Sequence, residues 1–449
     1  MQTQGGKTMT ALAARNWVPK DCEDFVQTLA SETSRQDTAA VFAALDRAIA
    51  LNRTIHDDDC VNLNPGTNVM SPRAEAAMAS GLGSRPSLGY PGDKYEMGLE
   101  GVERVEVIAA ELAAEVFGAR YAEIRVPSGA IANLYAFMAA TKAGDRIIAP
   151  PPSIGGHVTH HLNGCAGRYG LETHSAPVAA DGYTVDIPAL RELALKLKPK
   201  MITIGASLNL FPHPIREIRA IADEIGAIVL FDAAHLCGMI AGHAWQQPLQ
   251  EGAHLMTMST YKSLGGPAGG LILTNDAAIA EKLDRIAFPG MTANFDAAKS
   301  AALAITMLDW REHGKAYAAK MASTARALAD ALAERGVPLF TTSQGVTSSH
   351  QFAVRAAEFG GGQAAAKTLR KANILSCGIG LPIAEVEGDM NGLRFGTPEI
   401  VRWGMTEKDM PALAALIARG LRGNEPAKTV AADVTAFRRD FKTLHFVNL

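Results

Sequence analysis

The chain has 449 residues, more than one hydrophobic core usually holds, so more than one domain is expected. Its composition, 48% hydrophobic and 20% charged, is that of a globular protein, and a net charge of −3 supplies no basic field for nucleic acid or an anionic membrane. The opening run MQTQGGKTMTALAARNW lacks the apolar core of a signal peptide, no apolar stretch reaches the ~18 residues that cross a bilayer, and the scattered Cys22, Cys60, Cys165, Cys237 and Cys377 form no CxxC pair, which points to a reducing cytoplasm without a metal site or a disulfide framework.

Residues 1–60 read as a helical arm, with apolar residues at helical spacing in AAVFAALDRAIALNRTI (39–55). Two loops rich in Pro, Gly and Asn follow, at 63–72 and 84–98, long enough to suggest function. A helix over 100–117 carries an apolar stripe through Val102, Val105, Ile108, Leu112 and Val116. Helix and short apolar strand then alternate: a helix from SGAIAN to Gly144, the strand RIIAP, a helix over 188–197, the strand MITIG (201–205) and a helix ending at Gly226. The strands AIVLFD (227–232), HLMTMS (254–259) and GLILT (270–274) come next. Continuously apolar strands between helices predict an α/β fold with a mainly parallel sheet covered on both faces. A long helical region spans 294–335. The strands FAVRAA, ILSCG and GLRFGT, with helices at 361–372 and 407–422, predict a small C-terminal α/β domain, and FRRDFKTLHF near the end reads as helical. The expected division is an arm over 1–60, a large domain over 61–310 and a small domain over 311–449.

Five features lie in order along this pattern. PSGAIAN (127–133) is a Ser-Gly turn opening a helix, whose free amides suit a phosphate, although such starts are most often plain caps. In IGGHVTHH (154–161) two glycines permit close approach of a ligand, and His157 can lie flat on a ring; a surface histidine is the blander alternative. FDAAH (231–235) ends a buried strand, where ligands of open α/β sheets sit. Asp232 there can pair with a protonated pyridine nitrogen, beside the small Ala233 and Ala234. MSTYKSLGGPAGG (258–270) places Lys262 between an apolar strand and a glycine-rich loop, where desolvation makes an amine nucleophilic. In NGLRFGTPEI (391–400), Arg394 offers a guanidinium fork to a carboxylate. Each signal alone is modest; Asp232, Lys262 30 residues on and Arg394 132 residues further form a strong combination.

This combination resembles fold-type I pyridoxal-phosphate enzymes. With NVMSP, GYPGDKY, SGAIAN, GGHVTH, GASLN, FDAAHLCGMIAG, TYKSLGGPAGG, AFPGM and LRFGTP in order from about 63 to 404, the chain resembles serine hydroxymethyltransferase. The resemblance implies an aspartate-aminotransferase-like large domain that binds pyridoxal 5'-phosphate, and a homodimer, or a tetramer, with shared active sites. It implies Lys262 as the Schiff-base lysine, Asp232 on the pyridine nitrogen and His157 stacked on the ring. Ser128, Gly129 and Ala130 would hold the phosphate. Ser207 and His235 would lie near the phenolic oxygen, with Ala234, Ser259 and Tyr261 completing the cofactor site. Arg394 would hold the substrate carboxylate, with Gly66, Thr67, Tyr95 and Glu96 on the substrate side.

The departures bear on the reaction. Where the family carries Tyr-Ala-Glu-Gly-Tyr-Pro-Gly, this chain has Pro86, Ser87 and Leu88 before Gly89, so the tyrosine and the folate-contacting glutamate are replaced. The Ser-Glu-Asn run is Gly66-Thr67-Asn68, the His before the lysine is Tyr261, the second tyrosine after GYPG is Glu96, and the usual Arg after the lysine is Gly265. A leucine moves no proton and hydrogen-bonds no pteridine. The leading expectation is therefore a folate-independent aldolase or transaldolase working at Cα–Cβ of a β-hydroxy-α-amino acid such as threonine, phenylserine or α-methylserine. His157, His235 and Glu96 are candidate bases. The alternatives are a folate-dependent hydroxymethyltransferase for serine or α-methylserine, a transaminase or racemase, and a binding module with a dead site.

Overall fold

A computed structural model describes residues 10–448, which divide after Cys60 into two compact units. Residues 1–9 of the expected arm, and residue 449, lie outside the described residues. The first unit contains helices α1 (Lys20–Arg35) and α2 (Thr38–Arg53) and a π-helical turn over Thr54–Asp59. Helix begins only after Pro19, so residues 10–19 are irregular where helix was expected. Asp37 caps α2 by accepting from Ala40 N at 2.8 Å. The unit leaves Trp17, Phe25, Phe42 and Ile49 exposed.

The second unit is built on seven strands: β1 (Tyr121–Val126), β2 (Arg146–Ala149), β3 (Glu172–Ser175), β4 (Met201–Ile204), β5 (Ile228–Asp232), β6 (Leu255–Ser259) and β7 (Gly270–Thr274). Their order is β1-β7-β6-β5-β4-β2-β3, and β7 runs antiparallel to both neighbours. Side chains alternate between faces along a strand. Accordingly Met256, Met258, Leu271 and Leu273 feed one core, while Leu255 and Ile272 feed a second core across the sheet. Both faces are apolar, which is why β4, β6 and β7 read as unbroken hydrophobic runs. Helices α3 (Glu100–Phe117), α4 (Gly129–Ala140), α5 (Ile187–Leu197) and α6 (Ile215–Ile225) contribute to those cores. The sequence reading passed over β1 and β3: YAEIRV and ETHS mix charge with apolar residues because they are the two edge strands.

Helix α7 (Ala297–Ala333) runs unbroken for 37 residues, through the boundary expected at 310. Beyond it, β8 (Gln351–Arg355), β9 (Cys377–Ile379) and β10 (Gly392–Gly396) form an antiparallel sheet in the order β8-β10-β9. Helices α8 (Gly362–Lys371), α9 (Met410–Arg422) and α10 (Ala427–Arg438) pack with it. The last helix lies earlier than expected. It occupies AKTVAADVTAFR, and FKTLHF is irregular. Arg438 closes it: this buried guanidinium stacks 4.1 Å from the Trp403 ring and donates to Phe441 O, which turns the chain out of the helix.

Candidate active site

The carboxyl ends of β4, β5 and β6 and the start of α4 enclose one cavity. It is lined by Ser128, Gly129, Ala130, Asn133, His157, Ala206, Ser207, Asp232, Ala234, His235, Ser259, Tyr261 and Lys262. Every residue expected at the cofactor is among them. A larger groove outside β1, lined by Tyr90, Arg125 and Asp284 among others, contains none of them.

Asp232 ends β5, and both its oxygens are engaged. Oδ1 accepts from Ala234 N at 3.0 Å; Oδ2 accepts from His160 Nε2 at 2.8 Å and Asn133 Nδ2 at 2.9 Å. Burial would raise its pKa, but the hydrogen bond and charge of His160, the field of His157 and the Asn133 amide outweigh burial and hold it well below the ordinary carboxylate range. Asp232 is therefore an anion at neutral pH, fit to keep a pyridine nitrogen protonated.

Asn133 and His160 were missed in the sequence reading. Asn133, 3% exposed, is the hub of the network. Its Nδ2 also donates to Thr159 Oγ1 at 2.9 Å, and its Oδ1 accepts from Thr257 Oγ1 at 2.6 Å. Thr159 in turn faces His157 Nδ1 at 2.8 Å, and Thr159 N donates to the same nitrogen at 3.3 Å. His157 Nδ1 is thus an acceptor, and its neutral ring carries the proton on Nε2. The available signal for Asn133 was an amide inside the otherwise apolar helix GAIANLYAFMAA, a place where it needs buried partners.

Lys262 follows β6 and is 9% exposed. Burial lowers its pKa against the opposing field of Asp232, which favours the free amine. His235 Nε2 lies 3.2 Å from Lys262 Nζ and 3.4 Å from Arg394 Nη1. Burial first, then the charges of Lys262 and Arg394, keep His235 well below its ordinary pKa, so the ring is neutral. With two donors at Nε2, its proton sits on Nδ1, which is buried without a partner. Arg394, on β10 and 7% exposed, donates through Nη1 to Ser207 O. Ser207 N donates to Gly155 O at 2.7 Å, which ties the loop after β4 to the glycines ahead of His157.

Ser128 caps α4, accepting from Ile131 N at 3.2 Å, and the amides of Gly129 and Ala130 in the first turn have no intrahelical acceptor. A Cβ on Gly129 would fall 2.1 Å from Ser259 Oγ, so glycine is what lets this helix start seat against the end of β6. An anionic carboxylate, a helix start with open amides and a buried amine of lowered basicity line one cavity. This donor set fits pyridoxal phosphate.

The expected substrate-side residues fall elsewhere. Gly66 and Thr67 lie in a turn outside the cavity, where Gly66 N donates to Asn64 Oδ1 at 3.0 Å and Thr67 Oγ1 accepts from Asn62 Nδ2 at 2.9 Å. Tyr95, 81% exposed, and Glu96 follow the hairpin Gly89–Lys94 and do not line this chain's cavity. Gly265 has a local cause: its φ is +68°, and a Cβ there would fall 2.2 Å from Nη1 of the buried Arg402. The space beside this loop is taken by a different arginine from elsewhere in the chain.

The family model of serine hydroxymethyltransferase matches residues 44–417. An alpha-methylserine aldolase of Ralstonia sp is 62% identical over 436 residues, covering 97% of this chain and 100% of the relative. One of Variovorax paradoxus is 62% identical over 437 residues, covering 97% and 99%. The serine hydroxymethyltransferase of Pyrobaculum islandicum is 38% identical over 389 residues, covering 86% and 90%. A match of this extent, on a fold that gathers Lys262, Asp232 and His157 around one buried cavity, shows that the chain belongs to the serine hydroxymethyltransferase family of pyridoxal-phosphate-dependent enzymes.

Proposed function

We propose that the chain catalyses folate-independent retro-aldol cleavage of a β-hydroxy-α-amino acid, with α-methylserine as its substrate. The Cα–Cβ bond breaks, the β-hydroxyl proton leaves, formaldehyde is released, and a proton added at Cα leaves alanine. The observation that carries this reading is a cavity lined by every residue expected at the cofactor, in a chain with Pro86 and Leu88 in place of the family's tyrosine and glutamate. The 62% identity to proteins named alpha-methylserine aldolase supports the same substrate.

Pyridoxal phosphate, when bound, supplies the electron sink for the pair left by the broken bond. The protein's part is to place and polarise. Lys262 is the amine we assign to the covalent link, and its burial keeps it nucleophilic. Asp232 holds the ring nitrogen's proton through its anionic carboxylate. The open amides at Gly129 and Ala130 and the Ser128 turn receive the phosphate. Arg394 receives the substrate carboxylate. Of the two candidate bases that line this chain's cavity, His235 is favoured over His157: its acceptor nitrogen already faces Lys262, whereas Nδ1 of His157 is taken by Thr159.

We further assign a cytoplasmic homodimer, in which Tyr95 and Glu96 of the partner subunit complete each site. Exposed Tyr95 and Met97 support such a surface. Light scattering of the purified enzyme tests it, and a monomeric mass at micromolar concentration refutes it. The reaction is tested by following formaldehyde release from α-methylserine by the holoenzyme with and without tetrahydrofolate. Release without tetrahydrofolate is expected. No release, or release only on adding it, overturns the proposal.

A further inference from the structure

We infer that Cys377 is a positioning residue for Arg394, fixing which edge of the guanidinium meets a carboxylate. The inference rests on the reading of Arg394 as the carboxylate's partner. Cys377 on β9 pairs directly with Arg394 on β10, so both side chains leave the same face of the small sheet. Arg394 Nη2 donates to Cys377 Sγ at 3.1 Å, and the thiol donates to Asn64 Oδ1 at 3.2 Å. That oxygen also accepts from Gly66 N at 3.0 Å. The sulfur is thus the middle of a relay from the 63–68 turn to the guanidinium.

A donor count shows what the relay achieves. A guanidinium has five N–H groups in a fixed plane. Nη1 faces Ser207 O and His235 Nε2. One Nη2 hydrogen faces the sulfur. The donors left are the second Nη2 hydrogen and Nε–H, which is buried without a partner. With the sulfur on the Nη2 hydrogen that points toward Nη1, they adjoin along the Nε–Nη2 edge, a fork that takes both oxygens of one carboxylate. Without the sulfur, Nη2 has no fixed partner, and the plane can rotate about Nε away from that fork.

The test uses the holoenzymes of the parent, Cys377→Ala, Cys377→Ser and Arg394→Gln. Each is titrated by visible difference absorbance with alanine and with ethylamine, which lacks the carboxylate, and assayed on α-methylserine. Cys377→Ala is expected to weaken alanine and raise KM about tenfold, the effect of one hydrogen bond to a charged group, with ethylamine affinity and kcat within about twofold. Cys377→Ser, which keeps a donor and an acceptor, is expected to restore most of the loss. A Cys377→Ala enzyme that weakens both ligands alike, or neither, overturns the inference. An Arg394→Gln enzyme with unchanged alanine affinity overturns the carboxylate reading as well; a weakened Arg394→Gln beside an unaffected Cys377→Ala overturns this inference alone.

Discussion

Replacing Asn133 by alanine tests the network beneath the cofactor cavity most directly. The amide makes three hydrogen bonds, to Asp232 Oδ2, Thr159 Oγ1 and Thr257 Oγ1, all in the buried interior. The bond to a carboxylate is worth about 1.5–3 kcal/mol and each neutral one about 0.5–1.5 kcal/mol, so the full loss is about 2.5–6 kcal/mol. Its two parts can be measured separately. The threonine bonds are a cost to the fold, seen as a lower thermal midpoint of the apoenzyme. The Asp232 bond is a cost to the anion, whose pKa rises toward the ordinary value while His160 still holds it. Cofactor affinity is expected to fall about tenfold or more at pH 7.5, by fluorescence titration of apoenzyme with pyridoxal phosphate. Asn133→Asp places a like charge beside Asp232 and is expected to lose more affinity than the alanine variant. A variant with the parent's thermal midpoint and cofactor affinity would refute the assignment of Asn133 as the hub.

Three other perturbations follow from the geometry. Gly129→Ala drives a methyl to 2.1 Å from Ser259 Oγ and is expected to cut cofactor affinity with the fold retained; adding Ser259→Gly, which removes that oxygen, is expected to recover it, and a double variant no better than the single refutes the clash. Lys94→Met leaves the carboxylate of Glu106 buried without its 2.6 Å partner, side chains 4% and 6% exposed, and is expected to lose about 3–5 kcal/mol in urea unfolding. A loss below about 1 kcal/mol would mean the pair is not buried in solution. Burial holds His213 down to about 4 and His350 down to about 3, below the unfolded value, so the unfolded chain binds the extra protons. Their contributions are complete above pH ~6.5 and decline as pH falls toward those values, each with a slope of at most about 1.4 kcal/mol per unit. His350→Asn is expected to flatten unfolding free energy against pH between 6.5 and 4.5 by one such slope; identical slopes in parent and variant would contradict it.

The cofactor half of the site was legible in the sequence because its residues sit at ends of regular elements. Asp232 ends a hydrophobic strand, Lys262 follows another, and Ser128 caps a helix, so strand and cap signals locate them without tertiary knowledge. The supporting residues were not legible. Asn133 and His160 act through contacts 99 and 72 residues away in sequence, and a buried amide or imidazole looks the same in a string whether or not it reaches a carboxylate. The same limit explains the edge strands β1 and β3, whose mixed pattern follows from their place in the sheet. The misplaced last helix has another cause: FRRDFKTLHF has helical composition, but Arg438 spends its guanidinium on Trp403 and on the carbonyl of Phe441.

The substrate half of the site follows a different rule, and this bears on the folate question. The segment Pro86–Leu88 leads into the hairpin Gly89–Lys94, and both are anchored to α3. Glu106 on α3 accepts from Ser87 Oγ and from Lys94 Nζ, and Tyr95 N donates to Leu88 O at 3.1 Å. These bonds bracket Leu88 on both sides. Its backbone is therefore held through the neighbouring Ser87 side chain and through its own carbonyl. The chain between Pro86 and Gly92 contains no carboxylate, so a proton relay or a pteridine hydrogen bond there would need a residue from outside the hairpin. Restoring the carboxylate alone makes the point testable. Because the backbone is already held, Leu88→Glu is expected to fold and to bind pyridoxal phosphate as the parent does. If folate use turns on that one side chain, the variant gains stimulation by tetrahydrofolate with serine as substrate. If it gains none while folding normally, the side chain at Leu88 does not by itself decide folate use, and the substitutions at Pro86, Tyr261 and Gly265 bear on it as well.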